Sequence, residues 1–219
     1  TSRAGRPALE ALWGLPLVGG LDEAGTLAAL RHVEPSVREW AARLACDGGD
    51  ATEAVAKALA EIAASEPSVE VRAQLAASAR RLPAPQALAV VRGLMSHDED
   101  AADPRLPLLI WWAIEAKATT DPDAVAAEFR KPAAWGGAVG RSTIQERLMR
   151  RLAAAGGPVD LDRCVGLLEA APGPLYNKPG LPANALVIRK PGLAAKDGWT
   201  VQLWQPHLQH AQQAQHAQQ

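Results

Sequence analysis

The chain has 219 residues and a formal net charge of −1, a size that suits one sizeable domain or a domain with an appendage. Apolar residues make up 48% of it, yet there is one Phe and one Tyr beside seven Trp; Ala and Leu dominate, which favours helix over strand. Acidic and basic residues are interleaved without a strongly basic stripe, which disfavours phosphate-bearing partners, and no apolar run is long enough to span a membrane.

In chain order, the first helical pattern covers residues 21–31 and carries Leu27 and Leu30. The string Glu34-Pro35-Ser36-Val37 follows and recurs as Glu66-Pro67-Ser68-Val69, 32 residues later. Each copy opens an apolar stripe of helical period. The first runs through Val37, Trp40, Ala41 and Leu44, and the second through Val71, Leu75, Ala79 and Leu82. A third unit begins at Asp103-Pro104, 37 residues after Glu66-Pro67, and carries Leu108, Leu109, Trp112 and Ile114. Proline suits a first helical position, which needs no N–H donor, and it pushes the preceding residue out of the helical region. Pro35, Pro67 and Pro104 are therefore expected to start helices, with Asp103 as a cap. Ser36 with Glu39, and Thr143 with Glu146, have capping-box spacing.

Second helices are expected between these, over 52–63 and 86–95, with further helices at 124–130, 144–152 and 161–168. The total is about ten. The links are short, which makes consecutive helices antiparallel neighbours. Stacking such pairs buries a core that no pair builds alone. The expected fold class is all-α, a HEAT-like solenoid of antiparallel helix pairs over 1–172. An irregular Pro-rich segment follows at 173–206. The Gln/His/Ala-rich tail, 207–219, is expected to be disordered or a frayed helix.

Several residue groups carry side chains capable of chemistry or binding. Arg38 and Arg72 sit at matching repeat positions, which points to packing between units. Trp111 and Trp112 are adjacent on a helix, so they cannot both face one core. With Glu115 one turn on, they are the candidate partner-binding residues. His97, Asp98, Glu99, Asp100 and Asp103 lack the spacing of a calcium loop and are expected to form a solvated loop feeding a helix N-terminus. Cys46 and Cys164 show no CxxC pattern and suit small buried side chains. His207 and His210 have helical spacing but no third ligand. Gly19-Gly20 and Gly136-Gly137 read as helix ends. No G-x-S-x-G, H-E-x-x-H or P-loop string occurs. No catalytic, cofactor or metal site is expected.

The strings Ala11-Leu12-Trp13-Gly14-Leu15, Glu34-Pro35-Ser36-Val37-Arg38-Glu39 and Glu66-Pro67-Ser68-Val69-Glu70-Val71-Arg72 resemble HEAT repeats of the short, lyase-associated type. With the string from Asp103 to Trp112, they resemble the HEAT region of PVC-type haem-binding CxxCH proteins, over residues 8–171. That resemblance implies a rigid helical spacer between functional domains, and a periplasmic or secreted location. The chain itself carries neither propeller repeats nor CxxCH, and the segment after Gly173 departs from the pattern. The leading expectation is a non-enzymatic scaffold or protein-interaction module, monomeric, and a fragment of a larger protein, since Thr1 is no initiator. Its partner is a protein or a neighbouring domain. Competing expectations are a nucleic-acid-binding HEAT protein and a HEAT-type lyase-like enzyme.

Overall fold

The computed structural model describes residues 5–170. The Pro-rich segment, the Gln-rich tail, and with them His207 and His210 lie outside the described residues. Two compact units divide between Arg147 and Leu148. The described residues contain ten α-helices and no strand, as composition required. They are α1 (Gly5–Gly14), α2 (Glu23–Leu30), α3 (Pro35–Ala45), α4 (Glu53–Ser65), α5 (Val69–Ala79), α6 (Ala84–Leu94), α7 (Leu106–Thr120), α8 (Pro122–Phe129), α9 (Gln145–Ala155) and α10 (Pro158–Ala170). No described helix is long and apolar enough to cross a membrane.

In the first unit, helices pack in two rows. One row runs α1, α3, α5, α7 and the other α2, α4, α6, α8, each helix touching the next of its row. Contacts of α2 with α3, and of α6 with α5 and α7, join the rows. Between them lies a core of Leu59, Leu75, Leu94, Ile110 and Ile114, all at most 1% exposed. Full burial of each such side chain contributes about 1.5–3 kcal/mol. Alanine lets neighbours close in: Ala42, Ala63, Ala76, Ala79 and Ala87 have no exposed surface. A close approach of two helix backbones occurs at Gly93 of α6, where an added Cβ would lie 2.8 Å from the Ala64 nitrogen and 2.9 Å from the Ala60 oxygen of α4.

Several helix starts are set by side-chain caps. Asp22 accepts from Gly25 N at 2.7 Å and Asp121 from Ala124 N at 3.1 Å, with Pro122 opening α8 as the Asp-Pro pattern predicts. Helix ends receive cations from the next helix of the row or from the residues just past it. Arg81 Nε donates to Cys46 O at the end of α3 (3.3 Å), and Lys117 Nζ to Arg80 O at the end of α5 (3.0 Å). A positive group there meets the negative end of the helix dipole. Burial lowers the Lys117 pKa from its ordinary value.

The structural repeat differs from the one read in sequence. Arg38 Nε donates to Glu66 Oε2 at 2.8 Å and its Nη1 to His32 O at 2.8 Å. Arg72 Nε donates to Asp100 Oδ2 at 2.7 Å and its Nη1 to Glu66 O at 2.8 Å. Equivalent positions are therefore His32, Glu66 and Asp100, 34 residues apart, not the identical Glu-Pro-Ser-Val strings 32 apart. Pro35 is the first residue of α3, but Pro67 precedes the cap Ser68 and α5 starts at Val69. Glu66 is taken by Arg38, so the cap passes to the Ser68 hydroxyl, which accepts from Val71 N at 3.5 Å. Pro104 likewise stands outside its helix, while Asp103 Oδ1 accepts from Arg105 N and Leu106 N at 2.8 Å each. At the other box, residues 140–144 form a wide turn that runs straight into α9. Thr143 is inside that turn, not at a helix start.

A candidate protein-interaction surface

On α7, consecutive side chains diverge by about 100°. Trp111 is 5% exposed and belongs to the core, whereas Trp112 is 48% exposed. Leu108 one turn before it and Glu115 one turn after are half-buried. Trp112 and Glu115 thus share a solvent-facing strip, and Trp111 takes no part in it.

Arg38 and Arg72 point into the stack. Their side chains are 13% and 5% exposed, against 2% for Glu66 and 3% for Asp100. Hydrogen bonds donated to Glu66 and Asp100 respectively hold both guanidinium groups above the usual arginine pKa. Donors committed to a carboxylate and a carbonyl have little left for a ligand.

The acidic group is the solvated loop expected from sequence only in part: Asp98 and Glu99 are exposed, but Asp100 is not. Residues 98–102 form a 3₁₀ turn in which Asp100 is 2% exposed and bound to Arg72. Asp98 accepts from Ala138 N, and His97 spans from Ala63 O (2.9 Å) to Glu99 (3.2 Å). The physical reason is the 34-residue repeat: Asp100 occupies the acceptor position for the preceding arginine. Gly136 closes the 3₁₀ helix Pro132–Trp135, and Gly137 packs against the end of α6, where an added Cβ would lie 2.6 Å from Met95 O. Among the described residues, no three His, Cys, Asp or Glu side chains are grouped to hold a metal ion. Cys46 and Cys164 are free and buried. Burial pushes their thiols up to about 12 and about 11, so neither is an activated nucleophile.

A cluster that the sequence reading passed over lies on α1 and α3. Trp13 meets Trp40 edge to face, with ring centroids 5.2 Å apart and planes at 74°. The Arg43 guanidinium lies 5.1 Å from the centre of the Trp40 ring. Trp40 is half-buried and Trp13 is 43% exposed. The apolar stripe predicted through Trp40 differs from the buried face of α3, which is Val37, Ala41 and Ala42. The legible signal was the Trp40-x-x-Arg43 spacing, one helical turn.

A shallow groove of about 720 Å³ runs between α4 and α6, with Ala56, Ala60, Ala89 and Gly93 among its lining residues. Its charged margin includes Lys57, Glu61 and Arg92, which are occupied in ion pairs: Lys57 with Glu61, and Arg92 with Glu128.

No protein-family model matches this chain, and neither the curated proteins nor the solved structures compared with it give a match.

Proposed function

We propose that this chain is a HEAT-like helical-repeat module, a solenoid of antiparallel helix pairs that presents a surface to a protein partner and carries out no chemistry of its own. The observation that supports it most is the recurring tie from one unit to the next: Arg38 to Glu66, then Arg72 to Asp100, each pair 28 residues apart. Such ties hold successive helices at fixed spacing, which suits a spacer or scaffold more than a mobile catalytic cleft. Trp112, exposed beside Glu115 on α7, supplies the kind of aromatic contact that dominates protein interfaces.

The test is affinity capture on immobilised full-length chain, comparing wild type with Trp112→Ala by quantitative mass spectrometry. A partner retained by wild type and reduced about tenfold on the variant supports the reading, that factor being about 1.4 kcal/mol. Equal capture by both chains removes Trp112 from the interface. Substrate turnover by the purified chain overturns the non-enzymatic reading.

A further inference from the structure

We propose that the Trp13–Trp40–Arg43 cluster is a docking site for an acidic–apolar peptide segment, one that offers a carboxylate beside a large apolar side chain. The proposal builds on the interaction-module reading, but it rests on α1 and α3 and is separable from Trp112 on α7.

The apolar half of the site is a patch, not scatter. Seven large apolar side chains are exposed among the described residues, and Trp13, Leu15, Leu17 and Val18 are four of them. Leu17 is 87% and Val18 81% exposed, in the 3₁₀ turn Pro16–Val18 that packs on α1. Contiguous exposed apolar surface of this kind marks interaction sites. The two indoles add rigid area at small entropic cost, since Trp40 is braced by Trp13 and by the Arg43 guanidinium.

The charged half comes from Arg43. Arg38, Arg72, Arg81 and Arg92 are each paired with a carboxylate of the chain. Arg43 is exposed and has no ion pair or hydrogen bond among the described residues; its recorded contact is the Trp40 ring. Glu39, one turn before it, makes no ion pair with it, and on α1 Arg6 and Glu10 pair with each other at 3.1 Å. A guanidinium stacked on an indole is oriented while its N–H fork stays open to a planar acceptor. A carboxylate meets that fork in two-point geometry, and the apolar neighbour on the same segment covers Trp13. A basic segment would place like charges together at the same point.

The test uses the full chain with ¹⁵N-labelled tryptophan. Trp13→Phe and Trp40→Phe assign the two indole N–H signals. The probes are N-acetyl-Asp-Leu-Phe amide and its Lys-Leu-Phe counterpart. The expected result is a saturable movement of the Trp13 and Trp40 signals with the Asp peptide. Affinity should fall about tenfold for the Lys peptide, and equally for the Asp peptide on Arg43→Gln, since about 1.4 kcal/mol is a factor of ten. Arg43 is exposed, so that variant keeps its fold. Equal response to both peptides, or no response to either, overturns the proposal. Movement of Trp112 alone overturns it too, while leaving the interaction-module reading in place. Trp13 and Trp40 signals that shift with protein concentration in the absence of peptide assign the patch to a second copy of the chain and also overturn it.

Discussion

Arg72 stands to Asp100 as Arg38 stands to Glu66: 28 residues back in sequence, with Nε 2.7–2.8 Å from a carboxylate oxygen, and a second guanidinium nitrogen on the backbone carbonyl six residues earlier. The two ties share Glu66, whose carboxylate serves Arg38 while its carbonyl serves Arg72. The series stops at Asp100, because α7 opens Leu106-Pro107-Leu108-Leu109-Ile110 with no arginine in its first turn.

The inner tie is the more consequential for stability. Residue exposures of 4% for Arg72 and 2% for Asp100 leave little water to screen either charge. Arg72→Met strands a buried carboxylate and is expected to cost about 3–5 kcal/mol. The double variant Arg72→Met/Asp100→Leu, with neither charge, should regain most of that loss. Urea unfolding of the four chains of this cycle checks both values. A single-variant loss under about 1 kcal/mol would place the pair with surface ion pairs instead.

Gly93→Ala sets two effects against each other. Alanine gains about 1 kcal/mol of helix propensity over glycine. Its Cβ would stand 2.8–2.9 Å from the Ala64 nitrogen, the Ala60 oxygen and the Ala63 Cβ. Two of those are backbone atoms of α4, so the helices must separate, at a cost of about 1–3 kcal/mol for overpacking. The expected outcome is a net loss and a lower Tm in a thermal scan. An unchanged or higher Tm would mean that α4 and α6 slide apart freely.

Most helices from α2 onward were legible because they carry local start signals and apolar stripes, whereas α1 precedes the first pattern read. Asp121 caps α8 directly ahead of Pro122, since a cap acts within one turn of where it is written. The repeat register was not legible from the matching Glu-Pro-Ser-Val strings. It depends on bonds between residues 28 apart, which no local string encodes. For the same reason Asp100 looked like part of a solvated acidic loop. The surface was only half legible. Adjacency showed that Trp111 and Trp112 must diverge, and local sequence could not say which one the core takes. Trp13 and Trp40 come together only through the packing of α1 on α3.

The two thiols report on opening of each unit separately, because Cys46 lies in the first and Cys164 in the second. Each is at most 1% exposed, with pKa values pushed up to about 12 and about 11 by burial. Neither should react with a disulfide reagent at about pH 8 in the native chain, since the thiolate is the reacting form. Both should react at once in urea. Cys164→Ser leaves Cys46 as a lone reporter, and Cys46→Ser the reverse. Burst labelling of native wild type would show a thiol already open to solvent.

Glu128 gives the acid limb of stability a specific source. Burial alone would raise its pKa; hydrogen bonds from Arg92 and Lys131 outweigh it and hold the carboxyl below the usual range. The partners stand at 2.5 Å and 2.6 Å. A depressed folded-state pKa makes a contribution that is fully present above the unfolded value, about 4.3. It is lost as pH falls through the folded value. Glu128→Gln should therefore be less stable than wild type near neutrality, and the gap should close as pH drops from about 6 to about 3. Arg92 and Lys131 are 55% and 56% exposed, so about 1 M salt should narrow the gap at neutral pH as well. A gap that stays constant across that pH range would show that the carboxylate is held by packing and not by the two cations.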